Sequence, residues 1–185
     1  MWKAIGVAAI LLLGAVLAAV IWLRPPQDLT VESVQVVRWS QMTAADGPAS
    51  PAEPDKLLAV VRFATAGDLA ALGHDFWYRG LYARASLCGS GKTISEGFNL
   101  VFGRSGRISF GDRHPGGAGP PDYHVYVALQ SSDIAGFSRY DLVKSPEDIC
   151  LRLEPDAPEY GHGPSTNVMR IPRAALLAAL RQGRR

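Results

Sequence analysis

The chain of 185 residues has no large excess of either charge, because 19 lysine and arginine residues are nearly balanced by 17 aspartate and glutamate residues. A nucleic-acid-binding surface needs a basic patch that neutralises phosphates, and this balance argues against one. The sequence also contains no internal repeat, no Gly-x-Ser-x-Gly nucleophile motif and no twelve-residue calcium-loop pattern. We therefore expect no nucleic-acid partner and find no catalytic motif of specific spacing.

Cysteine is scarce, since the chain contains only Cys88 and Cys150. An even, sparse count behind an export-like amino terminus fits one disulfide in an oxidising compartment. Closing the long loop between the two residues would stabilise a domain by about 4 kcal/mol on the chain-entropy model. The alternative is two buried free thiols, because cysteine is among the residues most often buried.

The amino terminus, by contrast, is rich in apolar residues. Residues 4–23 carry no charge and no strongly polar side chain, and the run is bounded by Lys3 and Arg24. At about 1.5 Å per residue it extends about 30 Å, the thickness of a bilayer's hydrocarbon core. A cleaved signal peptide has a shorter apolar stretch of about 7 to 15 residues. The length therefore predicts a retained single-pass transmembrane helix that contacts the lipid bilayer through residues 4–23.

The orientation of this helix follows from the cysteines more than from charge. Lys3 and the amino terminus are opposed by Arg24 in the charge count that sets topology. A disulfide places the chain after Arg24 in an oxidising, periplasm-like compartment, with the amino terminus in the cytoplasm. We thus predict a membrane anchor over residues 1–24, a juxtamembrane segment and linker over 25–56, and an extracytoplasmic domain over 57–185.

Valine-rich and aromatic stretches, one continuous apolar run and several alternating patterns predict strands through most of the remaining chain. The predicted strands cover residues 29–39, 57–63, 76–87, 98–102, 108–110, 123–129 and 149–153. Residues 103–106 supply turn residues between two of them and predict a hairpin, while residues 123–129 are expected to bury one face. Pro172, as a first helical residue, and the stripe of Leu176, Leu177 and Leu180 predict a short C-terminal helix. The fold class is therefore α+β: an N-terminal transmembrane helix, then one mainly antiparallel β-sheet domain with a short C-terminal helix.

A glycine-rich segment, residues 89–93, resembles the phosphate-binding loop of nucleotide hydrolases because it ends in Gly-Lys-Thr. That motif requires a glycine where this chain has Ser86. It also requires a helix that begins at Thr93, and in this chain Gly97 would end such a helix after one turn. We interpret the segment as a turn and expect no nucleotide partner.

Two Asp-x-His units flank a loop rich in glycine and proline, and they offer a candidate metal site. Its residues are Asp112, His114, Asp122 and His124, with His74 as a possible further ligand. Residues two apart in a strand point the same way, so a carboxylate and an imidazole would be presented together. The alternative is that scattered histidines lie at the surface or form ordinary hydrogen bonds.

The same loop, residues 111–122, is expected to be exposed and to meet a protein partner. Arg113, His114, Tyr123 and Tyr126 are the predicted contacts, because tyrosines are frequent anchors at interfaces. We therefore expect a membrane-anchored, extracytoplasmic protein-binding module without a cofactor, such as an envelope assembly factor or an inhibitor or immunity protein. The alternative is a membrane-anchored hydrolase or metal-dependent enzyme that uses a His/Asp site, with His162 and Ser165 as further candidates.

Overall fold

The structure is a computed structural model, and it describes most of the predicted strands and the C-terminal helix. The described residues are 13–14, 27–41, 55–66, 69, 81–94, 101–103, 106–107, 122–131, 139–155 and 165–183. Within them, the strands are β1 (Thr30–Arg38), β2 (Leu57–Ala64), β3 (Leu81–Leu87), β4 (Val101–Gly103), β5 (Gly106–Arg107), β6 (Tyr123–Ala128), β7 (Ile149–Pro155) and β8 (Met169–Ile171). A single 3-10 turn, Trp39–Gln41, follows β1, and an α-helix, α1 (Arg173–Gln182), follows β8.

The strands form two sheets, a five-stranded one in the order β1-β2-β6-β4-β5 and a three-stranded one in the order β3-β7-β8. Every pairing within them is antiparallel. Antiparallel neighbours need only short connections, which suits a chain whose strands are separated by turns and glycine-rich loops. This confirms the predicted α+β class with mainly antiparallel strands and one C-terminal helix.

Both sheets bury one face in the same hydrophobic core. Alternate residues of β2, β6 and β7 point into it, as the period of two requires. The contributing side chains include Ala59, Val61 and Phe63 of β2, Val125 and Val127 of β6, Ile149, Leu151 and Leu153 of β7, and Leu176 and Leu180 of α1. Full burial of one such leucine stabilises the fold by about 1.5 to 3 kcal/mol, so this shared core is the main source of stability.

The central strand β6 is buried on both faces, since all six of its residues are buried. One face belongs to the shared core. On the opposite face Tyr126 and Ala128 pack with Leu58 and Val60 in a second, smaller apolar cluster. The alternating pattern predicted one buried face only. The second is buried because Tyr126 and Ala128 lie opposite apolar residues of the neighbouring strand β2.

Helix α1 packs against β1, which is an edge strand of the larger sheet. Pro172 is the N-cap of the helix, with extended backbone, and not its first helical residue as predicted. Gly183 follows the helix, and a Cβ placed on it would lie 2.9 Å from the carbonyl oxygen of Val36. The lack of a side chain at this position therefore lets the end of the helix approach the strand.

The predicted hairpin is confirmed, because Phe102 pairs with Arg107 and Gly103 with Gly106. The two glycines expected in the turn are thus strand residues. β1 pairs with β2 along its length, so residues 30–38, from the predicted juxtamembrane segment, belong to the larger sheet.

No helix within the described ranges is long and apolar enough to cross a membrane. Of the predicted span over residues 4–23, the structure describes only Leu13 and Gly14, which are helical. The rest of that span lies outside the described residues, as do residues 76–80 and 111–121.

Candidate functional site

Cys88 and Cys150 form a disulfide, which confirms the predicted pairing and excludes the free-thiol alternative. Their Cα atoms are 5.0 Å apart, a normal separation for a disulfide. Cys88 directly follows β3, and its N–H donates a hydrogen bond of 2.9 Å to the carbonyl oxygen of Asp148. Cys150 lies in β7 opposite Ser86 of β3. The bridge therefore fastens the end of one strand to the beginning of its neighbour.

The segment that resembles a phosphate-binding loop is a tight turn, as predicted. The N–H of Gly91 donates to the carbonyl oxygen of Leu87 at 2.8 Å. The N–H of Leu87 donates to the carbonyl oxygen of Lys92 at 2.9 Å. Beyond the turn, the N–H of Ile94 donates to the carbonyl oxygen of Ala85 at 2.9 Å. The chain thus returns antiparallel along β3, and no helix begins at the position where the motif requires one.

Asp148 links the disulfide region to the beginning of α1. Its carboxylate accepts a hydrogen bond of 2.6 Å from the N–H of Arg173 and one of 2.9 Å from Nε of Arg170, whose Nη2 donates as well. Pro172 provides no side-chain cap, so Asp148 satisfies a helix N-terminal N–H from another element. The N–H of Arg173, followed by the Arg170 side chain, lowers the pKa of Asp148 below its ordinary value.

These residues and the disulfide line an open cleft of about 470 Å³. Its walls carry two acidic residues, Glu147 and Asp148, and two basic residues, Arg170 and Arg173. Arg170 and Asp148 bind one another, so two of these four charged side chains form an ion pair within the cleft.

Two residues of the predicted metal site are described, Asp122 and His124. Nη1 of Arg62 donates to both carboxylate oxygens of Asp122, at 2.5 and 2.6 Å. Nδ1 of His124 lies 3.3 Å from the main-chain carbonyl oxygen of Asp122, and the His124 ring stands edge-on to the ring of Tyr126. A guanidinium thus occupies the position that a cation bound to Asp122 would need.

Among the described residues, no group of three or more His, Cys, Asp or Glu side chains is placed to hold a metal ion. The remaining predicted ligands, His74, Asp112 and His114, lie outside the described residues, as does His162. Ser165, considered as a nucleophile, is described, and its carbonyl oxygen accepts a hydrogen bond from Gln27.

The two tyrosines predicted as partner anchors are core residues, which corrects that expectation. Tyr123 is 1% exposed, stacks on Phe63 with ring centroids 6.0 Å apart, and its hydroxyl accepts a hydrogen bond of 3.1 Å from the N–H of Leu69. Tyr126 is 7% exposed in the second apolar cluster. Their position in the central strand removes both from any contact surface. The other predicted contacts, Arg113 and His114, lie outside the described residues.

The beginning of β1 is fastened to residues 165–167 by side-chain amides. Oδ1 of Asn167 accepts the N–H of Leu29 at 3.0 Å, and Nδ2 of Asn167 donates to the carbonyl oxygen of Leu29 at 2.9 Å. Two residues earlier, Nε2 of Gln27 donates to the carbonyl oxygen of Ser165 at 3.0 Å. The sequence offered no sign of this contact, because the partners lie far apart in the chain.

Asp28, between these two contacts, holds the residues that follow β2. Its carboxylate accepts hydrogen bonds from the hydroxyl of Thr65 at 2.6 Å and the N–H of Ala66 at 2.7 Å. The Thr65 hydroxyl, followed by the Ala66 N–H, lowers the pKa of Asp28 below its ordinary value. We call residues 27–29, 65–66 and 165–168 the clasp rim.

A groove of about 720 Å³ lies at the opposite end of β1. Its apolar lining is Val36, Leu57, Val143 and Leu180, and its polar lining is Arg38, Gln41, Asp55 and Gln130. Nη1 of Arg38 lies 2.9 Å from Oδ1 of Asp55, and these side chains are 58% and 82% exposed. Sequence reasoning missed the groove because its residues come from separate strands, turns and the helix.

Comparison of the chain with protein-family models, with curated proteins and with solved structures finds no match in any of the three.

Proposed function

We propose that the protein is a membrane-anchored, extracytoplasmic protein-binding module with a single membrane span and its amino terminus in the cytoplasm. The observation that carries this proposal is the Cys88–Cys150 disulfide, because structural disulfides form and persist mainly in oxidising compartments. The uncharged run over residues 4–23 is long enough to span a bilayer, and it supplies the means of attachment. Such a module would act in envelope assembly or as an inhibitor or immunity protein.

Within this proposal, the groove beside β1 is the expected place of partner contact. Interfaces commonly combine apolar and polar contacts, and the groove is lined by both kinds of side chain. The groove lies at the Arg38 end of β1, whereas the chain enters the domain from the predicted anchor at the Gln27 end. A partner in the same compartment would therefore reach it without obstruction by the bilayer.

In-cell crosslinking and purification of the full-length protein from its native membranes tests the proposal. We expect a stoichiometric protein partner whose capture is lost in Asp55→Lys. That substitution should barely change folding stability, because an exposed ion pair such as Arg38–Asp55 contributes only about 0 to 1 kcal/mol. Glu32→Lys is the matched control, since it makes the same charge change at an exposed residue of β1 that does not line the groove.

The outcomes separate the possible functions. Equal loss of capture in both variants would mean that net charge, and not the groove, governs binding. No partner together with a stoichiometrically retained metal would overturn the binding module in favour of the metal-dependent enzyme. A reporter fused after Arg185 that is active only in the cytoplasm would overturn the proposed orientation and compartment.

A further inference from the structure

The proposed anchor and the clasp rim are separated by very little chain. Between the last apolar residue of the run, Leu23, and the first residue fastened to the domain, Gln27, there are only four Cα-to-Cα steps. A fully extended chain covers at most about 3.6 Å per residue, so Gln27 lies within about 14 Å of the hydrocarbon boundary. Two of the three intervening residues, Pro25 and Pro26, have ring-restricted φ angles, which limits bending further.

The bilayer's polar layer takes up most of that distance. A bilayer of about 40 to 45 Å with a hydrocarbon core of about 30 Å leaves about 5 to 8 Å of headgroup region on each side. Gln27 is therefore held within about 9 Å of the outer limit of the headgroups. Gln27 and Leu29 are hydrogen-bonded to Ser165 and Asn167. The clasp rim is therefore held close to the membrane together with Gln27.

Val168 is the last residue of the clasp rim. It directly follows Asn167, and it is 54% exposed, which makes it the one exposed large hydrophobic residue in the described part of the chain after residue 14. The acidic group of the rim, Asp28, is already engaged by Thr65 and Ala66. The clasp rim thus offers an apolar side chain, Val168, and an acidic side chain, Asp28, that is already hydrogen-bonded. This combination suits a neutral, zwitterionic lipid surface better than an anionic one.

We infer that the clasp rim is the membrane-facing surface of the domain, seated against zwitterionic lipid headgroups with Val168 as its apolar contact and Asn167 fixing the orientation. This inference rests on the proposed membrane anchor. It also assigns the groove to the membrane-distal end of the domain, because β1 extends about 27 Å from the rim toward Arg38.

Lipid-borne quenching in full-length protein reconstituted into phosphatidylcholine vesicles tests the inference. Val168→Cys and Lys144→Cys are each labelled with an environment-sensitive fluorophore under non-reducing conditions, so that the native disulfide stays closed. Lys144 is the matched control because its side chain is 83% exposed. Lys144 directly follows Val143, which lines the groove. The N–H of the preceding residue, Leu142, donates to the carbonyl oxygen of Leu129, which places this segment beside the larger sheet. A nitroxide on the lipid headgroup is then added to the vesicles.

We expect loss of emission from the label at position 168 and no loss at position 144. Vesicle flotation is measured first: protein that does not float with the vesicles refutes the anchor, and the proposed function and the inference fall together. Protein that floats but shows equal quenching at both positions, whether strong or absent, overturns the inference alone and leaves the anchor standing.

Discussion

The side-chain amide of Asn167 binds both main-chain groups of Leu29, donating to its carbonyl oxygen and accepting from its N–H. At Leu29, the amide thus makes the two hydrogen bonds that a neighbouring strand would otherwise make. Leu29 is 3% exposed, so its main-chain groups have little access to water that could take over these bonds. The contact joins the first strand of one sheet to the residues that lead into the last strand of the other.

Asn167→Ala should therefore be strongly destabilising for a change at a polar residue. An unsatisfied buried donor or acceptor costs about 1 to 3 kcal/mol, and this substitution leaves one of each. We expect the free energy of unfolding to fall by about 2 kcal/mol or more, measured by urea denaturation with the disulfide intact.

Two variants serve as controls for Asn167→Ala. Asn167→Asp keeps the acceptor for the Leu29 N–H but places a carboxylate oxygen against the Leu29 carbonyl oxygen, so we expect it not to restore stability. Val168→Ala, at the neighbouring exposed position, should change stability by no more than about 0.5 kcal/mol. A loss in Asn167→Ala no larger than in Val168→Ala would show that the amide does not fasten the two segments in solution.

The disulfide should contribute more than any single hydrogen bond. Its closed loop has a sequence separation of 62 residues. Replacement of Cys88 or Cys150 by serine should lower the free energy of unfolding by about 2 to 5 kcal/mol, as for native bridges of small exported domains. Urea denaturation of the single variants and of the double variant measures it.

The bridge itself is checked by thiol counting on denatured, alkylated protein isolated from native membranes. We expect no free thiol in the wild-type chain and one in each single variant. Similar stability of the single and double variants would assign the loss to the bridge. Two free thiols in the wild-type chain would contradict both the bridge and the oxidising compartment.

Acid should destabilise the protein through Asp148. Hydrogen bonds from the Arg173 N–H and the Arg170 side chain lower the pKa of this carboxyl in the folded state. A carboxyl with a lower folded pKa binds fewer protons folded than unfolded, so its contribution is complete above its unfolded pKa of about 3.9. The contribution is then lost as the pH falls further toward the folded pKa.

Asp148→Asn removes this titration at nearly constant size. We expect urea unfolding between pH 7 and pH 3 to show a smaller decline in stability below about pH 4 in the variant than in the wild type. The wild type and the variant should differ most at neutral pH. Parallel curves across the whole range would show that Asp148 does not couple proton binding to folding.

Local pattern predicted the elements of this fold well and their assembly poorly. The continuous apolar run of β2, the alternation in β7 and the leucine stripe of α1 are properties of a few consecutive residues, so they were visible in the sequence. β8 was missed because a three-residue strand shows little periodicity. The burial of both faces of β6 depends on neighbours, which the alternation within one strand does not report.

The candidate sites divide in the same way. The Cys88–Cys150 pair could be predicted because two cysteines leave one possible bridge. Asp122 directly precedes β6, in which His124 lies, and the residue that binds the carboxylate of Asp122 is Arg62 of another strand. The groove and the clasp rim are each assembled from segments distant in sequence, and nothing in the individual segments distinguishes them.

Gly91 lies in the turn that follows β3, and its backbone conformation favours glycine, whereas that of the neighbouring Gly89 does not. Gly91 has a φ of +68°, a left-handed conformation that costs a residue with a side chain about 1 to 2 kcal/mol. A Cβ added at Gly91 or at Gly89 would meet no atom within 4 Å, so only the backbone conformation distinguishes the two positions.

We therefore expect Gly91→Ala to lower the free energy of unfolding by about 1 kcal/mol, and Gly89→Ala to leave it unchanged or slightly raised. Urea denaturation with the disulfide closed compares the two variants directly. Equal losses would mean that removal of any glycine beside Cys88 disturbs the bridge. Unequal losses in the predicted sense would show that the Gly-Lys-Thr segment is constrained by the geometry of a turn, without any need for a bound phosphate.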